Sequence, residues 1–371
     1  MSLPAFPHFP SEESVASPAL VLHWDRIETN LRHMLALAGG PHRLRPHLKT
    51  HKLPQILRLQ LSHGVQSCKA ATIAEAEMAA GCGVPDVLLC AQPVGPAIER
   101  LLNLIGHFPN TRFSALCDCP EAANSLAAAA RARALVLPLF LDLNLGQNRT
   151  GIPPDSSAES LYHQIHSTPG IQCRGLHAYD GHLQQPNAAE REAACRAAIA
   201  PVLALRERLL SARLPVEETI AGGSPTFAFH AQDPSLTCSP GTTLLWDAGY
   251  ASRFPELPFV PAATLLARVI SKPGANRLCL DLGHKAVASE MPQPRVVFPD
   301  LPSAVVLAHS EEHLVLETPE AASLPLGSVL HGIPWHICPT VALHGEVCVT
   351  RHSQPELEFW EVPARARRLR F

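Results

Sequence analysis

Neither sign of charge is in excess in this chain. Its 30 Lys and Arg stand against 33 Asp and Glu, a net charge of −3 with His neutral. That excludes the global positive field that gathers nucleic acid. No window approaches the roughly 18 uninterrupted apolar residues of a membrane span, so no membrane partner is expected. The first residues, MSLPAFPHFPSEESVASP, lack a charged segment followed by an apolar one. They do not read as a signal peptide, and the cytoplasm is the expected address. Internal repeats and low-complexity tracts are missing too. The 11 cysteines lack the even count of a disulfide framework and sit in apolar stretches such as VLLCAQ and FSALCDC. They read as reduced, buried thiols. The basic run Arg365, Arg367, Arg368 and Arg370 reads as the solvated face of a final strand.

What is present is an ordinary soluble balance, 46% hydrophobic and 17% charged over 371 residues, enough for one large domain and a smaller one. Short apolar runs alternate with Ala- and Leu-rich amphipathic stretches up to about residue 243. Strands are expected at 44–50, 65–72, 86–92, 112–118, 135–143, 173–180, 218–224 and 236–242. Helices such as IAEAEMAAG and GPAIERLLNLIGH follow them. Eight apolar strands with covering helices predict an α/β fold, a (β/α)8 TIM barrel over 24–243, with a doubly wound sheet as the alternative. The connection between the last two strands is too short for a full helix. From 244 to 371 the helical period fades, and many of the 36 prolines separate short β-rich runs such as AATLLARVIS and HLVLETP. A C-terminal all-β domain is expected there, with residues 1–23 packed on it.

In a barrel, chemistry belongs to the C-terminal strand ends. Those positions hold Lys49, Thr50 and His51, then Lys69 and Thr72, then Gln92. Asn148 and Arg149 come next, then His177, Tyr179 and His182, then Gly222, Gly223 and Ser224, and last Ser239, Gly241 and Thr242. Basic, aromatic and glycine-rich groups on one rim suit an anionic, planar ligand. The turns AGGSPT and SPGTT offer backbone N–H groups where barrels often take phosphate. Lys49 would project into the mouth, with Arg45 and Lys52 as neighbours that favour a nucleophilic amine.

The octapeptide Arg45-Pro46-His47-Leu48-Lys49-Thr50-His51-Lys52 resembles the cofactor-lysine segment of the fold-type III pyridoxal-phosphate (PLP) enzymes typified by alanine racemase. The similarity is to the branch of D-threonine aldolase and D-serine dehydratase. CKAATIAEAEMAAGCGVPDVLL (68–89), GQNRTG (146–151), HAYDGH (177–182), AGGSPTF (221–227), CSPGTTLLWDAGY (238–250) and HICPTVALH (336–344) resemble its later motifs, in order. The resemblance implies that Lys49 holds PLP covalently, that Arg149 sits by its 3-hydroxyl and Tyr179 by its ring. Gly222, Gly223, Ser224, Gly241 and Thr242 would cradle its phosphate. A homodimer is implied as well.

His336 and Cys338, one residue apart, point to one face if they lie on a strand. Imidazole with thiolate suits a divalent metal, Zn2+ ahead of Mn2+ or Mg2+. His309, Glu311 or His313 could stand behind them. The resemblance implies a lyase acting on a small-molecule substrate, a D-3-hydroxy amino acid. His-x-Cys is the pattern of the dehydratases of D-serine and 3-hydroxy-D-aspartate, whereas the aldolases usually carry His-x-Asp, so dehydration is the expected reaction. Retro-aldol cleavage to glycine and aldehyde is the alternative, with His182 as a candidate base. A racemase or a non-catalytic PLP-binding protein would leave the His-x-Cys pair unexplained.

Overall fold

Residue 3, residues 5–352 and residues 354–369 are described by the computed structural model. The chain forms two compact units. The first holds Leu35–Lys49, Pro54–Gly241 and the residues from Ala366 on; the second holds those up to Met34, Thr50–Leu53 and Thr242–Arg365. Among the described residues no helix is long and apolar enough to cross a membrane.

Strand β1 (Ala19–His23) and helix α1 (Trp24–Ala38) open the chain. The first unit then runs through α2 (Pro54–Ser62), β2 (Ser67–Ala70), α3 (Ile73–Gly81), β3 (Asp86–Leu89) and α4 (Pro96–His107). It continues with β4 (Arg112–Cys117), α5 (Pro120–Ala132), β5 (Leu137–Asn144), α6 (Ser156–Ser167), β6 (Ile171–Tyr179), α7 (Ala188–Ser211), β7 (Glu218–Ala221), α8 (Phe227–His230) and β8 (Thr237–Cys238). Strands β2 to β8 are parallel and adjacent in chain order. Local chemistry starts the helices. Thr72 accepts from the Glu75 N–H at 3.1 Å while the Glu75 carboxylate takes the N–H of Ala71, the residue before the cap, at 2.6 Å, a variant of the capping box. Helices α4 and α5 carry Pro at their first position, where no N–H is missed.

The stretch expected as the first strand, 44–50, is not a regular strand. It is an extended segment with single bridges from Leu44 to Cys238 and from His47 to Lys69. The N–H groups of Arg45 and His47 donate to Cys238 and Pro240, and that of Leu48 to Lys69. The segment thus bonds to both edge strands and closes the barrel as an eighth stave. Pro46 has no N–H to give, which interrupts the ladder there. Between β7 and β8 the four residues of α8 stand where a full helix would be.

The barrel interior is layered. At the N-terminal strand ends Arg45, 1% exposed, binds Glu218 through Nε and Nη2 at 3.0 and 2.7 Å and Asp86 at 2.8 Å. Arg174 shares Asp86 at 2.5 Å. These carboxylates hold the Arg45 guanidinium charged against burial. Above them lies an apolar plug of Leu88, Leu116, Phe140 and Ile220. Arg45 therefore faces away from Lys49, contrary to expectation, because its two carboxylate partners open β3 and β7.

The second unit adds α9 (Ala248–Arg253), β9 (Ala263–Gly274), β10 (Arg277–Leu280), β11 (Val296–Val297), β12 (Val305–His309), β13 (Leu314–Glu317), β14 (Val329–Pro334), α10 (Ile337–Leu343), β15 (Glu346–Arg351) and β16 (Gln354–Glu361). Its sheet runs β12-β13-β10-β9-β1-β15-β16, with β14 paired to β9 and β11. β1 is antiparallel to β9 and parallel to β15, so the N-terminal segment is an inner strand of this sheet. Two expectations fail here. HICPTVAL is helical, forming α10 rather than a strand. The basic C-terminal run is no strand face either: Arg365 lies in the short 3-10 turn Pro363–Ala366 and donates to Ala342 O, and Arg370 lies outside the described residues.

Candidate active site

Above the apolar plug the barrel turns polar. Asp142, from β5, accepts from His177 Nδ1 of β6 at 2.7 Å, and His177 Nε2 lies 3.0 Å from Lys69 Nζ of β2. All three are buried. Burial depresses the Lys69 amine, and although Cys90 pulls it up, Lys49 pushes it further down. Burial and Lys69 likewise lower His177, opposed by Asp142. Burial would raise Asp142, but its bond to His177 outweighs this and keeps the carboxylate ionised at lower pH.

Tyr179 ends β6, and three cations gather on its ring: Lys49 Nζ at 5.6 Å, Lys69 Nζ at 5.7 Å and the Arg149 guanidinium at 5.1 Å. Among the described residues neither the Lys49 amine nor the Arg149 guanidinium has a carboxylate partner. A pocket with about 500 Å3 of empty space, open to solvent, runs over these side chains and over Asp142 and His177. Two lone cations beside an aromatic face, over a lysine of depressed basicity, fit an anionic aromatic aldehyde such as PLP.

The phosphate-turn residues follow β7. Gly222 has φ +80, and a Cβ there would come within 2.5 Å of His230 Cδ2, so only glycine fits without movement. The Gly222 N–H donates to Ala178 O at 2.9 Å and that of Gly223 to Asp180 Oδ1 at 3.1 Å. Both glycine amides are thus used in shaping the turn. The Ser224 hydroxyl accepts from the Gly241 N–H at 3.1 Å, tying the two glycine-rich turns together. Asp180 supports this from below. Fully buried, it also accepts from Thr226 Oγ1 at 2.7 Å and pairs with His230 Nε2 at 2.7 Å, with Cys195 beside them. Nothing in the sequence marked Asp180 beyond its place in HAYDGH.

His182 lies on the exposed loop after β6, near Gly146. Thr72 is the cap described above, and Gln92 Oε1 accepts the Asp118 N–H at 2.8 Å. Ser239 Oγ donates to Arg45 O at 3.1 Å. All three serve the scaffold.

In the second unit His336 caps α10 and Cys338 lies in its first turn. A helix start, rather than a strand, brings the two side chains together. Burial opposes charge on His336, but its hydrogen bond to Cys338, with Asp247 and Glu290 near, raises it to about 9. His336 Nδ1 lies 2.5 Å from Glu290 Oε1, so Nε2 is the nitrogen that could hold a metal beside Cys338. Thr50 Oγ1 and Thr242 Oγ1 lie 3.1 and 3.6 Å from Cys338 Sγ. Thr50 is the residue after Lys49. Buried Asp247 caps α9 through the Tyr250 N–H at 2.8 Å and takes the Ile337 N–H at 3.1 Å, and burial pushes its pKa up to about 6. The partner of His336 is therefore Glu290 and not the HSEEH segment, whose Glu311 and Glu312 pair with Lys285.

Residues 22–247 match the family model described as alanine racemase, N-terminal domain. The chain belongs to that family. Residues 262–350 match a second model, a putative serine dehydratase domain. A D-threonine aldolase of Arthrobacter sp is 30% identical over 360 residues, covering 95% of this chain and 93% of that protein. A D-threo-3-hydroxyaspartate dehydratase of Delftia sp. (strain HT23) is 25% identical over 88% of this chain and 92% of that protein. The crystal structure of D-threonine aldolase from Filomicrobium marinum superposes with a TM-score of 0.89 at 29% identity, covering 98% of this chain and 99% of that one. Within the alanine racemase N-terminal-domain family, this member is a PLP-dependent lyase with the expected barrel and β-rich C-terminal region.

Proposed function

We propose that this lyase cleaves D-3-hydroxy amino acids by retro-aldol reaction to glycine and an aldehyde, using PLP and a divalent metal ion. The observation that carries the cofactor assignment is the placing of two carboxylate-free cations, Lys49 and Arg149, on the Tyr179 ring. Lys49 would hold the cofactor, Arg149 would face its phenolic oxygen, Tyr179 would lie by its ring, and Ser224, Gly241 and Thr242 would meet its phosphate on the turn shaped by Gly222 and Gly223. His336 and Cys338 would hold the metal. When bound, PLP supplies an electron sink for charge at Cα, and the metal a Lewis acid for the substrate hydroxyl.

The protein's own groups do the rest. The Lys49 amine would deliver the proton that Cα gains on cleavage. Lys69, made less basic by burial and by Lys49, lies against His177 and leaves the cofactor to Lys49. Glu290 orients His336, and the Thr50 hydroxyl, 3.1 Å from the Cys338 sulfur, would donate to it once the thiol is ionised. His182, on an exposed loop, is the candidate base for the hydroxyl proton. The near full-length similarity to D-threonine aldolase supports cleavage. Dehydration is the second reading, favoured by the thiolate of Cys338 in the metal pair.

The test is product analysis. Protein loaded with PLP and Zn2+ or Mn2+ is given D-threonine, D-serine and D-threo-3-hydroxyaspartate. Glycine with aldehyde supports the proposal, and 2-keto acid with ammonia replaces it with the dehydratase. Lys49→Ala should lose covalent cofactor while Lys69→Met keeps it; the reverse would overturn the assignment of Lys49.

A further inference from the structure

A second constellation of metal-ligand type lies in the second unit, built from residues outside the site described above. Glu12, in the N-terminal segment, contacts His8 Nδ1 with one carboxylate oxygen and faces His331 Nε2 of β14 at 3.0 Å with the other. One ligand atom from each of the three lies within 4.8 Å of those of the other two. We propose that His8, Glu12 and His331 bind a divalent transition-metal ion, with zinc as its probe, clipping the N-terminal segment to β14.

Two imidazoles and a carboxylate are a donor set that zinc takes readily. The ligands are also positioned by a layer behind them. His331 Nδ1 lies 3.3 Å from Thr264 Oγ1, which lies 2.9 Å from His23 Nε2. If His331 Nδ1–H donates to Thr264 and Thr264 to His23, the Nε2 lone pair of His331 points at the ion. Glu12 is held from two sides. The Phe9 N–H reaches its carboxylate at 3.4 Å, and Arg268 grips the carbonyls of Glu12, Glu13 and Val15 at 3.3, 2.9 and 2.7 Å. Access is open, since the His8 side chain is 69% exposed and lines a surface pocket with Phe9, His23 and Arg26. Buried ligands on a preset scaffold with one exposed arm suit an ion that enters from solvent.

The experiment counts zinc bound per chain after chelator stripping and readdition, in full-length, PLP-loaded protein. In His336→Ala/Cys338→Ala, which removes the other metal pair, one zinc per chain should remain and should raise the melting temperature. Adding His8→Ala, a change at an exposed side chain, should abolish both effects. Thr264→Val should weaken this zinc about 10–100-fold. His8→Ala in the otherwise intact protein should lower the count by one, which serves if the double variant does not fold. Zinc missing from the folded double variant, or zinc there that survives His8→Ala, overturns the site. Neither result depends on whether His336 and Cys338 bind metal.

Discussion

The hydroxyl of Thr50 lies 3.1 Å from the thiol of Cys338, a residue 288 positions later. A hydroxyl that donates to a thiolate stabilises its charge and orients its lone pairs. Thr50→Val keeps the shape and removes the donor. If His336 and Cys338 hold the metal as proposed, it should weaken that binding about 10-fold, read by metal titration, with PLP content unchanged.

Asp180→Asn tests the support beneath the glycine turn. One oxygen of this buried carboxylate takes the Gly223 N–H and the Thr226 hydroxyl, and the other pairs with His230. An amide replaces an acceptor with a donor, so one of these bonds is lost. PLP affinity should fall about 10-fold or more, at roughly 1–3 kcal/mol per unsatisfied buried group, measured by cofactor titration. Gly222→Ala should act in the same direction, since its Cβ meets His230 at a positive φ.

Stability should decline in acid through His51. Its ring is fully buried, Nδ1 takes the Leu53 N–H at 3.1 Å, and among the described residues Nε2 finds no partner. Burial depresses its pKa from 6.5 to about 3, and Lys52 adds to this. The unfolded chain therefore binds this proton below about 6.5 while the native state refuses it until about 3. The contribution is complete above 6.5 and is lost as pH falls through that window, a few kcal/mol in all. Urea unfolding across pH should show a flatter acid limb for His51→Gln.

Arg45→Met should separate scaffold from chemistry. It leaves half-buried Glu218 and Asp86 with only Arg174 and Arg112 as cationic partners at the N-terminal end of the barrel. Unfolding free energy should fall by about 3–5 kcal/mol, while the folded enzyme still loads PLP on Lys49. Loss of loading at full stability would show that Arg45 does act on Lys49.

How much could be read in advance follows from the range of each signal. The β2–β8 strands and the α3, α4, α5 and α7 helices were legible because apolar periodicity and local caps act within one element. Strand 44–50 was legible as a stave but not as an irregular one, since bridges to Lys69 and Cys238 depend on partners far away in sequence. The helix at HICPTVAL was not legible because the i, i+2 spacing of His336 and Cys338 also suits a strand, whereas Pro339 falls in the first turn of α10, where it is tolerated. Thr72 shows a local signal overlooked: Thr72-Ile-Ala-Glu75 spells a capping box, so its place in the polar inventory had a structural meaning.

The sequence by itself determined the alternating α/β order, the β-rich second half, and the residue types that suit PLP and metal: Lys49, Arg149, Tyr179, the two glycine turns, His336 and Cys338. Only the tertiary structure decided their company. Lys69 joins Lys49 on the Tyr179 ring, Glu290 rather than HSEEH backs His336, and Asp180 holds the Gly223 amide. The reason is physical. Periodicity and capping are local properties of the chain, but charge pairing and hydrogen bonding at a barrel mouth are settled by which strand ends the closed sheet brings within a few ångströms.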